Sequence, residues 1–219
     1  MKSATGLCIL IAVGFGAPTD AHAFEGRVGP PDSGGWLQIR TGVTFADSLT
    51  LNTTDVGLTT TGDPGLVLGV GAHWRTSRLD FGALFESASS WAFASVSRDD
   101  RVGSQFRVAA NLRWRYIEDT WGSLYLALSP GLAVLSHTPQ LRFQVSQLDG
   151  SPDTSVDSHT LGFSFGFDFG VLIYLSDTLG LALHLDLVTS SSALATERGE
   201  VDIDMVRGIF AVGLEWRIQ

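Results

Sequence analysis

Arginines and carboxylates recur in this chain with a rhythm of two. Arg107, Arg113 and Arg115 share one parity of a segment whose other parity holds Phe106, Val108, Leu112 and Trp114. Asp80 and Glu86 alternate with Leu79, Phe81 and Phe85, and Asp168 alternates with the phenylalanines of 163–169. Asp186, Glu215, Arg217, Arg40 and Arg75 fall in stretches of the same kind. Arginine stays charged and holds a carboxylate through a planar fork, so this is material for buried ion pairs. His184 and Asp186 lie two apart on one face and could ligate a metal. Two ligands make a poor site, so a structural hydrogen-bonded pair is expected and no metal or cofactor is assigned. Glu200, Asp202 and Asp204 alternate and offer oxygens for Ca²⁺. In so polar a stretch, a merely solvated connection is the preferred reading.

Period two implies β-strands. In "LGFSFGFDFGVLIYL" (161–175) one face is Leu161, Phe163, Phe165, Phe167, Phe169, Val171, Ile173 and Leu175; the other begins Gly162, Ser164, Gly166, Asp168, Gly170. Solvated faces carry lysine, glutamate or threonine. Glycines and one aspartate suit a crowded interior where side chains from several strands converge. The expectation is a closed barrel with an apolar exterior and a polar filling.

Eight such segments run at 36–46, 65–75, 78–88, 104–116, 122–135, 160–175, 178–189 and 206–218. Their connections alternate between short turns and long stretches rich in Thr, Ser, Asp and Gly (47–64, 89–103, 136–159, 190–205). The fold class that follows is all-β: an eight-stranded antiparallel up-and-down transmembrane barrel with short periplasmic turns and long extracellular loops. Leu66 to Trp74 spans on the order of 20 Å at about 3.3 Å per residue and a tilt near 40°, close to the apolar band of such barrels. Pro130 is expected to mark a bulge or bend.

Residues 1–23 read as a secretory signal: Lys2, an apolar run from Leu7 to Ala17, then Ala21-His22-Ala23 before the cut. Cys8, the single cysteine, leaves with it. Residues 24–35 form an N-terminal periplasmic segment and 36–219 the barrel. The sole lysine is Lys2, and the net charge of −9 makes a nucleic-acid partner a poor fit. Trp36, Trp74, Trp114, Trp121 and Trp216 fall at the short-turn end or the termini, and Trp91 alone at the other. Indoles favour the headgroup level, so those five are expected to form a membrane-interface belt.

These patterns, with the final strand "GIFAVGLEWRIQ", resemble the small eight-stranded outer-membrane barrels, the group of the OmpA transmembrane domain and OmpX. The resemblance implies an outer-membrane location, lipid and lipopolysaccharide as surroundings, and a monomer. It also implies recognition of the last strand by the barrel-assembly machinery. No wall-binding domain follows.

Seven inward arginines (Arg40, Arg75, Arg107, Arg113, Arg115, Arg207, Arg217) face five acids (Asp80, Glu86, Asp168, Asp186, Glu215). An eight-stranded interior is just filled by side chains, so a charge-paired plug is expected. That suits a structural or surface-interaction role, with a narrow channel or a carrier for small or apolar solutes as the alternative. The His-x-Ser pattern of barrel lipid A deacylases is absent: residues 75, 139, 161 and 186 follow the four later histidines at that spacing, and none is Ser. Asp99-Asp100 with Asp157 and His159 resemble the catalytic residues of omptin barrel proteases, a longer family with ten strands. Gly34-Gly35-Trp36 matches the Gly-x-Trp start of soluble lipocalins, which would bury the phenylalanine face around a ligand. The chain is read as a non-enzyme.

Overall fold

The computed structural model describes residues 33–53, 56–61, 64–89, 104–150 and 157–218. It contains β1 (Gly34–Asn52), β2 (Gly57–Thr61), β3 (Leu66–Arg75), β4 (Leu79–Ser89), β5 (Ser104–Asp119), β6 (Gly122–Ser136), α1 (Pro139–Asp149), β7 (His159–Tyr174), β8 (Leu179–Thr196) and β9 (Gly199–Ile218). Strand neighbours run β1-β3-β4-β5-β6-β7-β8-β9, and β9 pairs back to β1. All ladders are antiparallel, so eight strands close a ring with no open edge across its wall.

The alternation resolves as an apolar exterior. Gly170, Ser164 and Asp168 point inward, while Phe163 on the same strand is 77 % exposed. Leu68, Phe81, Phe106, Leu132, Leu185 and Phe210 extend that surface around the ring. A water-soluble carrier would bury this face, so the lipocalin reading fails. Such a band has its low-energy environment in lipid.

Three of the long connections hold regular structure. β1 runs past the expected end to Asn52, and β8 and β9 continue above the ring as a hairpin. With β2, which pairs only with upper β1, they form a four-stranded sheet above the barrel in the order β2-β1-β9-β8. Its inner face carries Leu49, Leu51, Leu194, Val201, Ile203 and Met205, and α1 lays Leu141 and Val145 against it. The helix starts where Thr138 accepts the Leu141 N–H and ends at Gly150, whose left-handed φ of 71° returns its N–H to Ser146. The connection 90–103, with Trp91 and the Asp99-Asp100 pair, lies outside the described residues.

A bulge makes the upper sheet possible. Inward residues of β1 are even-numbered up to Thr44 and odd from Asp47, because Phe45 and Ala46 both face outward. The extra outward residue carries Asp47, Leu49 and Leu51 to the inner side. Pro130 sits differently from expectation. It faces outward where the β5–β6 ladder is interrupted between its Ala109–Gly131 and Leu112–Leu128 pairs, and the register does not slip.

Candidate functional site

Strand parity aims the charged residues inward, and register sets their height. Near the short turns, Arg75 and Asp80 are directly paired across β3 and β4, and Asp80 pairs with Arg113 on β5. Asp80 accepts from Arg115 at 3.2 Å. Arg115 also reaches Glu118, and donates to the carbonyls of Thr76 and Ser77 at 2.6 and 2.8 Å, tying the turn to the lumen. Arg113 donates to Glu215 at 2.8 Å and lies 4.3 Å over the Tyr125 ring. Arg75 is fully buried, 4.4 Å over Trp36, with Asp80 and Glu215 at 3.7 and 3.8 Å.

A histidine layer follows. Gln38 donates to Nε2 of His184 at 2.8 Å, so the ring proton sits on Nδ1, which faces Asp168 at 2.8 Å and the Tyr125 hydroxyl at 2.7 Å. Gly170 makes this packing possible, because a Cβ there would lie 2.1 Å from both Cζ and the hydroxyl oxygen of Tyr125. Above lie Arg40 with Glu86 and, at 2.8 Å, Asp186; then Arg107 with Glu86 at 3.5 Å; then Arg207 with Asp47 at 2.8 Å. Gly69 opens space for Arg40, whose Cγ and Nε would lie 2.9 and 3.0 Å from an added Cβ. Val67, Ala88, Val188, Ile209 and Ala211 form an apolar cluster in the upper lumen. The sheet-and-helix cap, with its own hydrophobic core, stands over that end.

Eleven of the expected lumen residues are thus brought together: Arg40, Arg75, Asp80, Glu86, Arg107, Arg113, Arg115, Asp168, His184, Asp186 and Glu215. Arg217 is not. It sits half-buried at the rim, and no described residue forms an ion pair with it. His184 pairs with Asp168 across the β7–β8 ladder, whereas Asp186 goes to Arg40, so the expected His184–Asp186 pair does not form. Asp47, a lumen acid behind the Phe45 bulge, and Glu118, an exposed rim acid beyond the bulge at Arg115–Ile117, are arginine partners that patterning missed.

Trp36 corrects the expected belt. It is fully buried in the lumen floor. Four residues before inward Arg40 it shares that parity, so its own strand turns it inside. Trp74, Trp114 and Trp121 are exposed on the outer surface and Trp216 is half-exposed there.

At the capped end, His137 Nδ1 faces the Asp157 carbonyl at 2.7 Å and Nε2 faces Thr160 Oγ1 at 3.0 Å. Burial lowers its pKa. His159 contacts Ser158 at 2.8 Å, so among the described residues no Asp–His couple forms here. No group of three potential metal ligands occurs among the described residues, which leaves Glu200, Asp202 and Asp204 unassembled.

No family model and no curated protein matches the chain. Among solved structures it is similar to Neisserial surface protein A (NspA): 13 % identity over 86 % of this chain and 100 % of that one, TM-score 0.53. The chain has the fold of a small outer-membrane β-barrel. Outer membrane protein OprG from Pseudomonas aeruginosa (11 % identity, 87 % and 98 % covered, TM-score 0.48) superposes less closely. So does outer membrane protease OmpT from Escherichia coli (7 % identity, 86 % and 97 % covered, TM-score 0.45). At such identities the likeness speaks for the outer-membrane barrel fold alone. Fold and apolar exterior agree on the outer membrane as the barrel's location.

Proposed function

We propose that this outer-membrane barrel is a non-conducting scaffold whose business is at the cell surface. The observation that carries the reading is the stacking of seals along one axis. Six arginines are neutralised layer by layer by lumen carboxylates. An apolar cluster separates the lower five from Arg207, which pairs with Asp47 at its top, and a cap with its own hydrophobic core follows. An ion crossing this path would have to break buried pairs and then enter a dry layer, and both steps are costly. What the barrel offers the outside is a preformed sheet with a polar outer face that includes Asp202 and Asp204, both exposed. A monomer assembled through its last strand and surrounded by lipid and lipopolysaccharide fits this role. The outward Trp74, Trp114, Trp121 and Trp216 would anchor its lower rim.

Planar-bilayer recording tests the reading. The folded mature barrel should give no steady open level above background. A sustained ohmic conductance that Glu86→Ala alters would overturn it in favour of a narrow channel. The barrel is also read as a non-enzyme: among the described residues its buried His–Asp pairs, His184 with Asp168 and His73 with Asp80, lie inside the lumen.

A further inference from the structure

The wall has a groove at its short-turn rim, beside the start of β1, with a volume of about 710 Å³. Trp74, Phe81 and Ile218 line it on the outer face, and Trp36 and Arg217 at the inner rim. Gly35 creates it. A Cβ at this outward position would lie 3.6 Å from Ile218 and 3.8 Å from Trp74, so any longer side chain would occupy the gap.

The polar end of the groove is short of acceptors. Trp36 is fully buried, and among the described residues its indole N–H has no acceptor. Arg217 Nε is buried without one as well, and unlike the six lumen arginines Arg217 pairs with no described carboxylate. Buried donors of this kind call for an acceptor beyond the described residues, and a bound anion would supply it. The apolar end is open to lipid tails, and the level is that of the exposed Trp74, where headgroups begin. One ligand chemistry satisfies both ends: an anionic oxygen-rich head with an acyl tail.

We propose that this groove binds a phospholipid of the periplasmic leaflet. Its phosphate lies against Arg217 and the Trp36 N–H, and one acyl chain crosses Gly35 between Trp74 and Ile218. The site rests on the barrel's placement in a membrane but not on whether the lumen conducts.

Native mass spectrometry of the mature barrel, released from detergent micelles doped with phosphatidylglycerol, tests it. A single lipid adduct is expected. Arg217→Gln should lower its occupancy about tenfold, the worth of a charge-assisted contact. Gly35→Leu should abolish it by filling the groove. Diacylglycerol, which lacks the phosphate, should not bind, and glycerol phosphate, which lacks the tails, should not displace the lipid. Heat-modifiable gel migration confirms that both variants are folded barrels. Unchanged phosphatidylglycerol occupancy in the two folded variants would overturn the proposal. Diacylglycerol binding as well as the phospholipid, displacement by glycerol phosphate, or a lipid-free two-chain complex would do the same.

Discussion

Glu215 holds the lower lumen together, and Glu215→Gln measures by how much. The carboxylate is fully buried and accepts from Arg113 at 2.8 Å and Gln38 at 3.2 Å, with Arg75 at 3.8 Å and His73 at 3.6 Å. Once it is neutral, Arg75 and Arg113 depend on Asp80 alone, at 3.7 Å from each, and Asp80 already serves Arg115. Removing one partner of a buried pair costs about 3–5 kcal/mol. Glutamine keeps an acceptor for Arg113, which places the expectation at the low end, about 3 kcal/mol, or a shift of more than about a hundredfold in the unfolding equilibrium. Urea unfolding in phospholipid vesicles, read by heat-modifiable migration, reports it. Arg113→Gln in the same chain removes the stranded cation and should recover at least about 1 kcal/mol against the sum of the single variants. A single-variant loss under about 1 kcal/mol, or strict additivity, would refute the view that these charges are dry and mutually dependent.

Deleting Phe45 should be tolerated, because it removes only the bulge: the Thr44–Ile209 and Asp47–Arg207 pairs survive at the heights they already occupy. Deleting Ser48 instead turns Leu49 and Leu51 outward and should leave α1 open to protease. Gly170→Ala puts a Cβ against Cζ and the hydroxyl of Tyr125 and should destabilise folding by about 1–3 kcal/mol, the usual cost of overpacking. Leu141→Ala, in the buried cap core, should speed amide exchange throughout α1 and leave the amides of β7 unchanged. For His137, burial depresses the folded-state pKa below 6.5, so the unfolded form binds more protons in the window beneath that value. The cap's stability is therefore complete above pH 6.5 and drains as pH falls below it. The α1 protection factors, which normalise exchange to its intrinsic acid-slowed rate, should fall on acidification in the wild type and lose that pH dependence in His137→Gln.

The ring was legible because each strand repeats one statement many times. Gly162, Ser164, Gly166, Asp168 and Gly170 share a face that no solvated sheet would present, and glycine at those places is explained by neighbours such as Tyr125 that fill the space. The cap was not legible, for an equally physical reason. Stretches 47–64 and 190–205 are rich in Thr, Ser and Asp because one face of the upper sheet meets water. Composition averages over both faces and reads as loop. The apolar face, Leu49, Leu51, Leu194, Val201, Ile203 and Met205, keeps period two, and that continuation was the available signal.

Parity assigns a side chain to a face but says nothing about its height or its partner. His184 and Asp186 share a face, yet the imidazole goes to Asp168, sixteen residues earlier in the chain, which stands opposite Asp186 and diagonal to His184 across the β7–β8 ladder, beside the side-chain space left at Gly170. Asp47 and Glu118 escaped notice because each follows a bulge that resets the count. With both included, carboxylates accompany the arginines from the lumen floor up to the cap. Of the seven arginines expected inside, Arg217 alone stands outside that arrangement, at the rim groove. A face assignment could not separate the two settings: arginines paired with carboxylates inside the lumen, and Arg217 at the rim, beside the groove proposed to take a lipid.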